Sequence, residues 1–374
     1  METITFNCRF ITPAFLGGAD PKGAPELRPP SIKGALRFWW RAMNGHLISP
    51  EEDKNSAKAL LKQDETLFGG INQSHSKSPV RIQAREIDMA YLMGQDVFDR
   101  TRAEGLDYLF YSLKHHRATD LGFDSDSAFE LSFTALERNR NELQKAIASF
   151  WLLVHFGSLG TRARRGAGAF YVESILDKNG LLDAGISFIP DPGVSTQDFL
   201  KENFKKVKLL IGSELPTVVK AYSTINPEEP AVLSAAAFDS WREAVNAIGL
   251  EMRNIRKGKT SRVAAERTFT MRTLNKKAAF GLPLGVFSDN AVTFETKERR
   301  ASPIYISVVY NQTTRKYHWI LTHLAGDFMP EGEKIVFESK NRHAAQRQHS
   351  WNAEDDSLLQ TFMNNIRAKS QAII

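Results

Sequence analysis

The chain has 374 residues, enough for two domains of ordinary size, and its 42% hydrophobic and 25% charged content is that of a soluble globular protein. Its net charge of +6 is concentrated: residues 253–277 hold nine Lys and Arg against the single acid Glu266, a net +8 that leaves −2 for the rest. No apolar run reaches membrane-spanning length, no basic region precedes an apolar one at the start, and the lone Cys8 excludes a disulfide framework or a cysteine zinc cluster, so a cytoplasmic protein is expected.

Residues 3–10 alternate, with Ile4, Phe6, Cys8 and Phe10 on one face, and predict a strand. A Gly/Pro-rich loop follows over 13–30, and Ser31 after Pro29-Pro30 is the expected N-cap of a helix reaching about Asn44. Ile32, Ala35, Leu36, Trp39, Trp40 and Met43 give that helix an apolar face, with at least one tryptophan expected in the core. Lys33, Arg37 and Arg41 stand at successive i+4 positions, and each like-charge neighbour costs a helix a few tenths of a kcal/mol. A bound polyanion would offset that repulsion, beside a helix start that itself favours anions.

Residues 46–62 form a polar, weakly helical connection, and 72–78 a loop. Strands are predicted over 79–87 and 129–136, a helix over 142–156 and a strand over 169–175. The order strand, helix, strand, strand, helix, strand is the split βαβ pattern of a ferredoxin-like domain.

Between the last helix and strand of that pattern lies Gly157-Ser-Leu-Gly-Thr-Arg-Ala-Arg-Arg-Gly-Ala-Gly168. Its glycines, Gly160 and Gly166 among them, permit positive φ and close backbone approach. Its exposed N–H groups and the forks of Arg162, Arg164 and Arg165 suit phosphate oxygens. A plain turn needs one or two glycines and no arginine cluster, so the loop reads as a contact to a phosphate backbone.

Residues 177–197, with Asn-Gly and Pro-Asp-Pro-Gly, are the expected linker, dividing the chain into domains 1–180 and 181–374. In the second half, a helix over 234–255 runs into the basic window, whose Arg256, Lys257, Lys259 and Arg262 are candidates for RNA or subunit contact. Paired strands are expected over 303–310 and 316–322 around Gln312-Thr-Thr-Arg315, a further strand over 334–338 and a closing helix over 355–368. The fold expected is α+β, with two ferredoxin-like, RRM-related domains, the second decorated with extra helices.

The segments Phe15-Leu-Gly-Gly-Ala-Asp20 and Arg28-Pro-Pro-Ser-Ile-Lys-Gly-Ala-Leu-Arg-Phe-Trp-Trp-Arg41 resemble the opening of the RAMP proteins of CRISPR systems. More narrowly they resemble the family of the first subunit of the type III-B Cmr effector complex. Leu67-Phe-Gly-Gly70 is similar to the short element that follows the first helix in that family, and 157–168 to its glycine-rich loop. Arg299-Arg-Ala-Ser-Pro-Ile304 resembles a segment of its second half, which adds Arg299 and Arg300 to the RNA-contact candidates. The resemblance implies a non-catalytic RNA-binding subunit without a cofactor, partnered by CRISPR guide RNA, complementary target RNA and other Cmr-type RAMP subunits, near the guide's 3′ region. It implies too that backbone subunits of the complex, using an aspartate and a divalent metal, cut the target.

Asp20, in Gly-Gly-Ala-Asp-Pro, invites comparison with that cutting aspartate, but a single carboxylate in turn chemistry reads as structural or groove-lining. The rival reading is a metal-independent RAMP endoribonuclease that processes guide RNA precursors. Its candidates are His115-His116, which point about 100° apart on a helix, and His318 and His323, on opposite faces of a strand. A third reading, a single-stranded RNA binder acting alone, lacks the RNP aromatic signature around Ala169-Phe170-Tyr171.

Overall fold

A computed structural model of the chain describes residues 1–20, 23–47, 57–70, 77–98, 103–115, 120–183, 185–212, 223–226, 229–257, 276–281, 284–286, 290–294, 300–326, 334–339 and 347–373. The first half contains β1 (Glu2–Phe10), α1 (Pro29–Met43), α2 (Ala57–Phe68), β2 (Arg81–Asp88), β3 (Tyr91–Met93), α3 (Glu104–Leu109), α4 (Tyr111–His115), β4 (Leu121–Phe123), β5 (Ala128–Ala135), α5 (Arg140–Phe156) and β6 (Phe170–Asp177). The second half follows with α6 (Thr196–Ile211), β7 (Thr224–Ile225), β8 (Ala231–Ser234), α7 (Trp241–Lys257), β9 (Leu284–Val286), β10 (Asn290–Phe294), β11 (Ile304–Asn311), β12 (Lys316–Ala325), β13 (Lys334–Ser339), β14 (Arg347–Ser350), α8 (Ser357–Arg367) and β15 (Ser370–Ile373).

The first sheet has the antiparallel order β2-β5-β1-β6. Alternation along β1 explains its two faces: Ile4, Phe6, Cys8 and Phe10 are buried, while Thr3, Thr5 and Arg9 point away and meet Thr134, Ser132 and Glu173 across the strands. The second sheet runs β11-β12-β8-β15, again antiparallel, with β7 also pairing β12. In both sheets a helix follows the first strand and another precedes the last, so the two halves share one strand order. The additions differ: β9, β10, β13 and β14 form a separate four-stranded sheet inserted into the second half, whose further helix is α6.

Helix α5 explains how the halves join. From Leu143 onward it is almost wholly buried, because it lies between the two sheets. Phe150 packs on Phe6 and Phe133 of the first sheet, while the helix meets β11, β12 and α6 elsewhere. A helix apolar all round needs such a sandwich, and each large side chain buried there contributes about 1.5–3 kcal/mol. Residues 177–197 are therefore no exposed linker: Leu181, Ile186 and Phe188 are buried in the same core. The connection from β2 to β5 likewise crosses the boundary. Its helix α3 packs on α7, with the Gly105 and Leu106 N–H groups donating to Asn246 Oδ1 at 2.9 and 3.4 Å and Glu104 pairing with Arg253 at 2.9 Å.

Three expectations shift. The predicted helix over 234–255 begins only at Trp241, because 231–234 is the central strand β8. The polar connection 46–62 gives way to α2, and α6 occupies a stretch with no predicted element. The turn at 312–315 is as expected, with Arg315 at φ +54°.

Candidate nucleic-acid interface

The loop 157–168 leaves α5 and is anchored before it enters β6. Thr161 N–H donates to Phe15 O, Leu159 N–H to Gly168 O and Gly168 N–H to Pro13 O, each at 2.9 Å. Gly160 and Gly168 hold φ of +89° and +72°, and a Cβ there would stand 2.5 Å from Phe15 O and 1.9 Å from Leu159 O. These two glycines are required by both conformation and space. On its inner side the loop is tied to β11 by a buried polar seam. Ser307 Oγ donates to Gly157 O, Ser158 Oγ lies 3.0 Å from Ser307 Oγ, and the Tyr305 hydroxyl donates to Ser158 O at 3.1 Å. Burial pushes the Tyr305 hydroxyl pKa up.

A groove of 650 Å³ opens where this loop, the first turns of α1, residues 15–17 and the approach to β11 converge. Its aromatic floor includes Phe38, Trp39 and Tyr305, with the Arg164 guanidinium over the rings of Phe38 and Tyr305 at 5.0 and 5.7 Å. Its polar lining includes Arg28, Ser31 and Thr161. Among the described residues the Ser31 and Thr161 hydroxyls make no hydrogen bond, nor do the N–H groups of Gly160, Arg162 and Arg164. With Arg162 in the left-handed region at φ +63°, this run of uncommitted N–H groups has the character of an anion nest.

The start of α1 differs from expectation. The helix begins at Pro29 with Arg28 as N-cap, so Ser31 is the third residue of the helix and not its cap. Pro29 and Pro30 carry no N–H, and the Ser31 and Ile32 N–H groups both donate to Arg28 O, at 3.0 and 3.1 Å. The helix terminus therefore contributes no anion site, and the groove meets the Ser31, Ala35 and Phe38 face.

Lys33, Arg37 and Arg41 lie on another face, toward α2. Arg41 donates to Asp64 Oδ2, Arg37 Nη1 is 3.8 Å from the same oxygen, and Arg37 Nη2 donates to Gly69 O. Asp64 is completely buried. The stripe thus has a counter-ion, supplied from α2, and two of its members fasten that helix to α1. Lys33 is half-buried, its pKa lowered by burial and by Arg37. Sequence reasoning missed Asp64, although its neighbours Leu60, Leu67 and Phe68 at i−4, i+3 and i+4 mark it as facing the core.

The loop arginines turn inward as well. Arg162 donates to Leu109 O, Arg164 to Ser302 O, and Arg165 to Phe280 O and Ile304 O at 3.1 and 3.4 Å. All three pKa values are lowered, by burial first; that of Arg165 falls to about 9, with Arg256 the next cause. Gly166, at φ +94°, lies near Val245 of α7. Arg300 is half-buried, its pKa lowered by burial, and Arg256 sits at the end of α7 over the rings of Tyr108 and Phe280. Lys259, Arg262 and Arg299, and the side chain of Lys257, lie outside the described residues.

Among the described residues, the candidate catalytic histidines His318 and His323 are not brought together. His318 Nδ1 contacts Ser234, whereas His323 lies near Arg367 and Glu229, and burial lowers both pKa values. His116 and the side chain of His115 lie outside the described residues. Asp20 sits in a turn, accepting the Gly23 N–H at 3.1 Å through its carbonyl. No group of three His, Cys, Asp or Glu among the described residues is placed to hold a metal ion, and no described helix is long and apolar enough to cross a membrane.

Residues 7–171 match the RAMP superfamily. The chain is 32% identical over 193 residues to the CRISPR system Cmr subunit Cmr1-2 of Pyrococcus furiosus, covering 47% of this chain and 97% of that protein. The chain belongs to the RAMP superfamily, as a Cmr1-type subunit. The same organism's Cmr1-1 is 24% identical across 87% of this chain and 88% of its own length. The fold is that of the crystal structure of Cmr1 from Pyrococcus furiosus in its apo form, with a TM-score of 0.63 at 20% identity over 100% and 99% of the two chains. A chain from a type III-B Cmr-beta complex bound to cognate target RNA is also similar, with a TM-score of 0.54 at 12% identity over 87% and 95%.

Proposed function

We propose that this chain is a non-catalytic, RNA-binding subunit of a type III-B effector, and that the groove between the glycine loop and α1 holds the sugar-phosphate backbone of the guide's 3′ region or of the paired target RNA. The run of uncommitted N–H groups at Gly160, Arg162 and Arg164 carries this reading. Backbone donors and the Ser31 and Thr161 hydroxyls recognise phosphate and ribose without reading bases, as befits an assembly whose sequence specificity comes from pairing between guide and target. A similar chain occurs in a complex bound to cognate target RNA, which supports RNA and sister subunits as partners. Each main sheet with its two helices is read as one ferredoxin-like domain, divided near residue 180. Arg28, Gly160, Ser31 and Thr161 replace the stripe of Lys33, Arg37 and Arg41 as the principal contacts. Arg299, Arg300, Lys257, Lys259 and Arg262 remain candidate contacts.

Photo-crosslinking of thiouridine-substituted RNA to the assembled complex, with peptide mapping, tests this. Crosslinks should fall within 15–17, 28–39 and 158–165; crosslinks confined to the open face of the first sheet would overturn it. The purified chain should leave guide-repeat and target RNA intact with or without Mg²⁺. Specific cleavage lost on His115→Ala would favour the processing-nuclease reading instead.

A further inference from the structure

Arg162, Arg165 and Arg256 meet where α3, the glycine loop and α7 come together. Arg162 donates to Leu109 O of α3, and Arg165 to Phe280 O at 3.1 Å. Arg256 lies over the rings of Tyr108 and Phe280, at 5.8 and 5.5 Å. Every one of these partners is neutral. Among the described residues no carboxylate pairs with any of the three. The Nε atoms of Arg162 and Arg256 are buried with no hydrogen-bond partner, although Arg256 as a whole residue is only half-buried.

Carbonyl oxygens satisfy individual N–H groups but leave the net charge of three neighbouring guanidiniums uncompensated. Buried cations of one sign repel one another, and in folded proteins such charges are paired. Pairing is available nearby: Arg253, three residues before Arg256 on α7, is held by Glu104 at 2.9 Å. After burial, the nearby Arg256 charge helps lower the pKa values of both Arg162 and Arg165, which agrees with their proximity.

We infer that Arg162, Arg165 and Arg256 form a site for a single tetrahedral oxyanion, a phosphate group, that enters from the Arg256 side and fastens α3 and the glycine loop to α7. Arginine forks present two parallel N–H donors to such an anion, and Arg162 and Arg256 each keep an unused Nε–H as one arm of a fork. Arg162 and Arg165 also line the groove, so the site lies at its back wall. The phosphate belongs either to RNA or to a free small anion. The inference stands on the absence of a carboxylate partner among the described residues and does not depend on the RNA reading.

The test titrates the full chain with inorganic phosphate and, at matched ionic strength and pH, with chloride, following thermal stability and the broadening of the ³¹P line. Phosphate should raise stability saturably and broaden its line, where chloride does neither. Arg256→Gln should weaken the apparent phosphate affinity about tenfold or more, as removal of one charge-assisted hydrogen bond does. Should that variant fail to fold, Arg256→Lys, which keeps the charge and loses the fork, should weaken it likewise. Displacement of phosphate by a short single-stranded RNA identifies an RNA phosphate as occupant, and phosphate retained alongside RNA identifies a free anion. A wild-type chain that responds to phosphate no more than to chloride, or variants with an undiminished response, would overturn the inference.

Discussion

Asp64→Asn removes the buried carboxylate shared by Arg37 and Arg41 while keeping its shape. Breaking a fully buried ion pair from one side costs about 3–5 kcal/mol. Here the carboxylate is fully buried but the arginine side chains are 26% and 31% exposed, so water takes back part of the loss. A cost of about 2 kcal/mol is expected, since Asn still accepts one neutral hydrogen bond. The loss falls on the docking of α2, so native-state amide exchange is the suitable assay. Exchange in residues 57–68 should speed up about thirtyfold, which is 2 kcal/mol at 1.4 kcal/mol per factor of ten, while β1 and β5 stay protected. RNA affinity should change less than twofold, because the stripe lies off the groove. Unaltered exchange in α2 would refute the clamp, and a large change in RNA affinity would return the stripe to the binding surface.

Other outcomes follow from single residues. His155 is buried against Trp151 and Phe199, with its pKa pushed down by burial to about 3. It is neutral in the folded chain, whereas the unfolded chain takes up a proton below about pH 6.5; this stability is present above that pH and is lost as pH falls toward 3. At pH 5 the loss should be about 2 kcal/mol, and His155→Leu should flatten the dependence seen in denaturation midpoints; an unchanged slope would contradict the assignment. Gly168→Ala should destabilise by about 3 kcal/mol or more through both positive φ and overlap with Leu159 O. Gly193→Ala, at φ +84° with nothing within 4 Å, should cost only about 1 kcal/mol, and equal costs would show that space at Gly168 is irrelevant.

The first strand order was legible because β1 alternates cleanly and α5 is mostly apolar from Ala146 to Phe156, and periodicity reports such elements directly. The glycine loop was legible through its composition. What composition does not encode is direction. Arg162, Arg164 and Arg165 look like a phosphate grip in one dimension, yet their nearest acceptors are carbonyls contributed more than fifty residues away, at Leu109, Phe280 and Ser302. Asp64 escaped notice for the same reason: its partners lie on a different helix. The strands β8 and β15, each four residues long, are too short to show a period, and they acquire their identity only by pairing with each other and with β12. Tertiary contact decided all of these.

The central claim, that RNA lies along the groove, is tested most directly by the salt dependence of single-stranded RNA binding to Arg28→Glu/Ser31→Glu, two exposed groove positions whose change leaves the core intact. The account predicts at least a tenfold loss of affinity and a salt slope smaller by about 0.7, because position 28 no longer neutralises a phosphate. Wild-type affinity and slope in that variant, together with a loss of binding in Lys33→Glu, would contradict it.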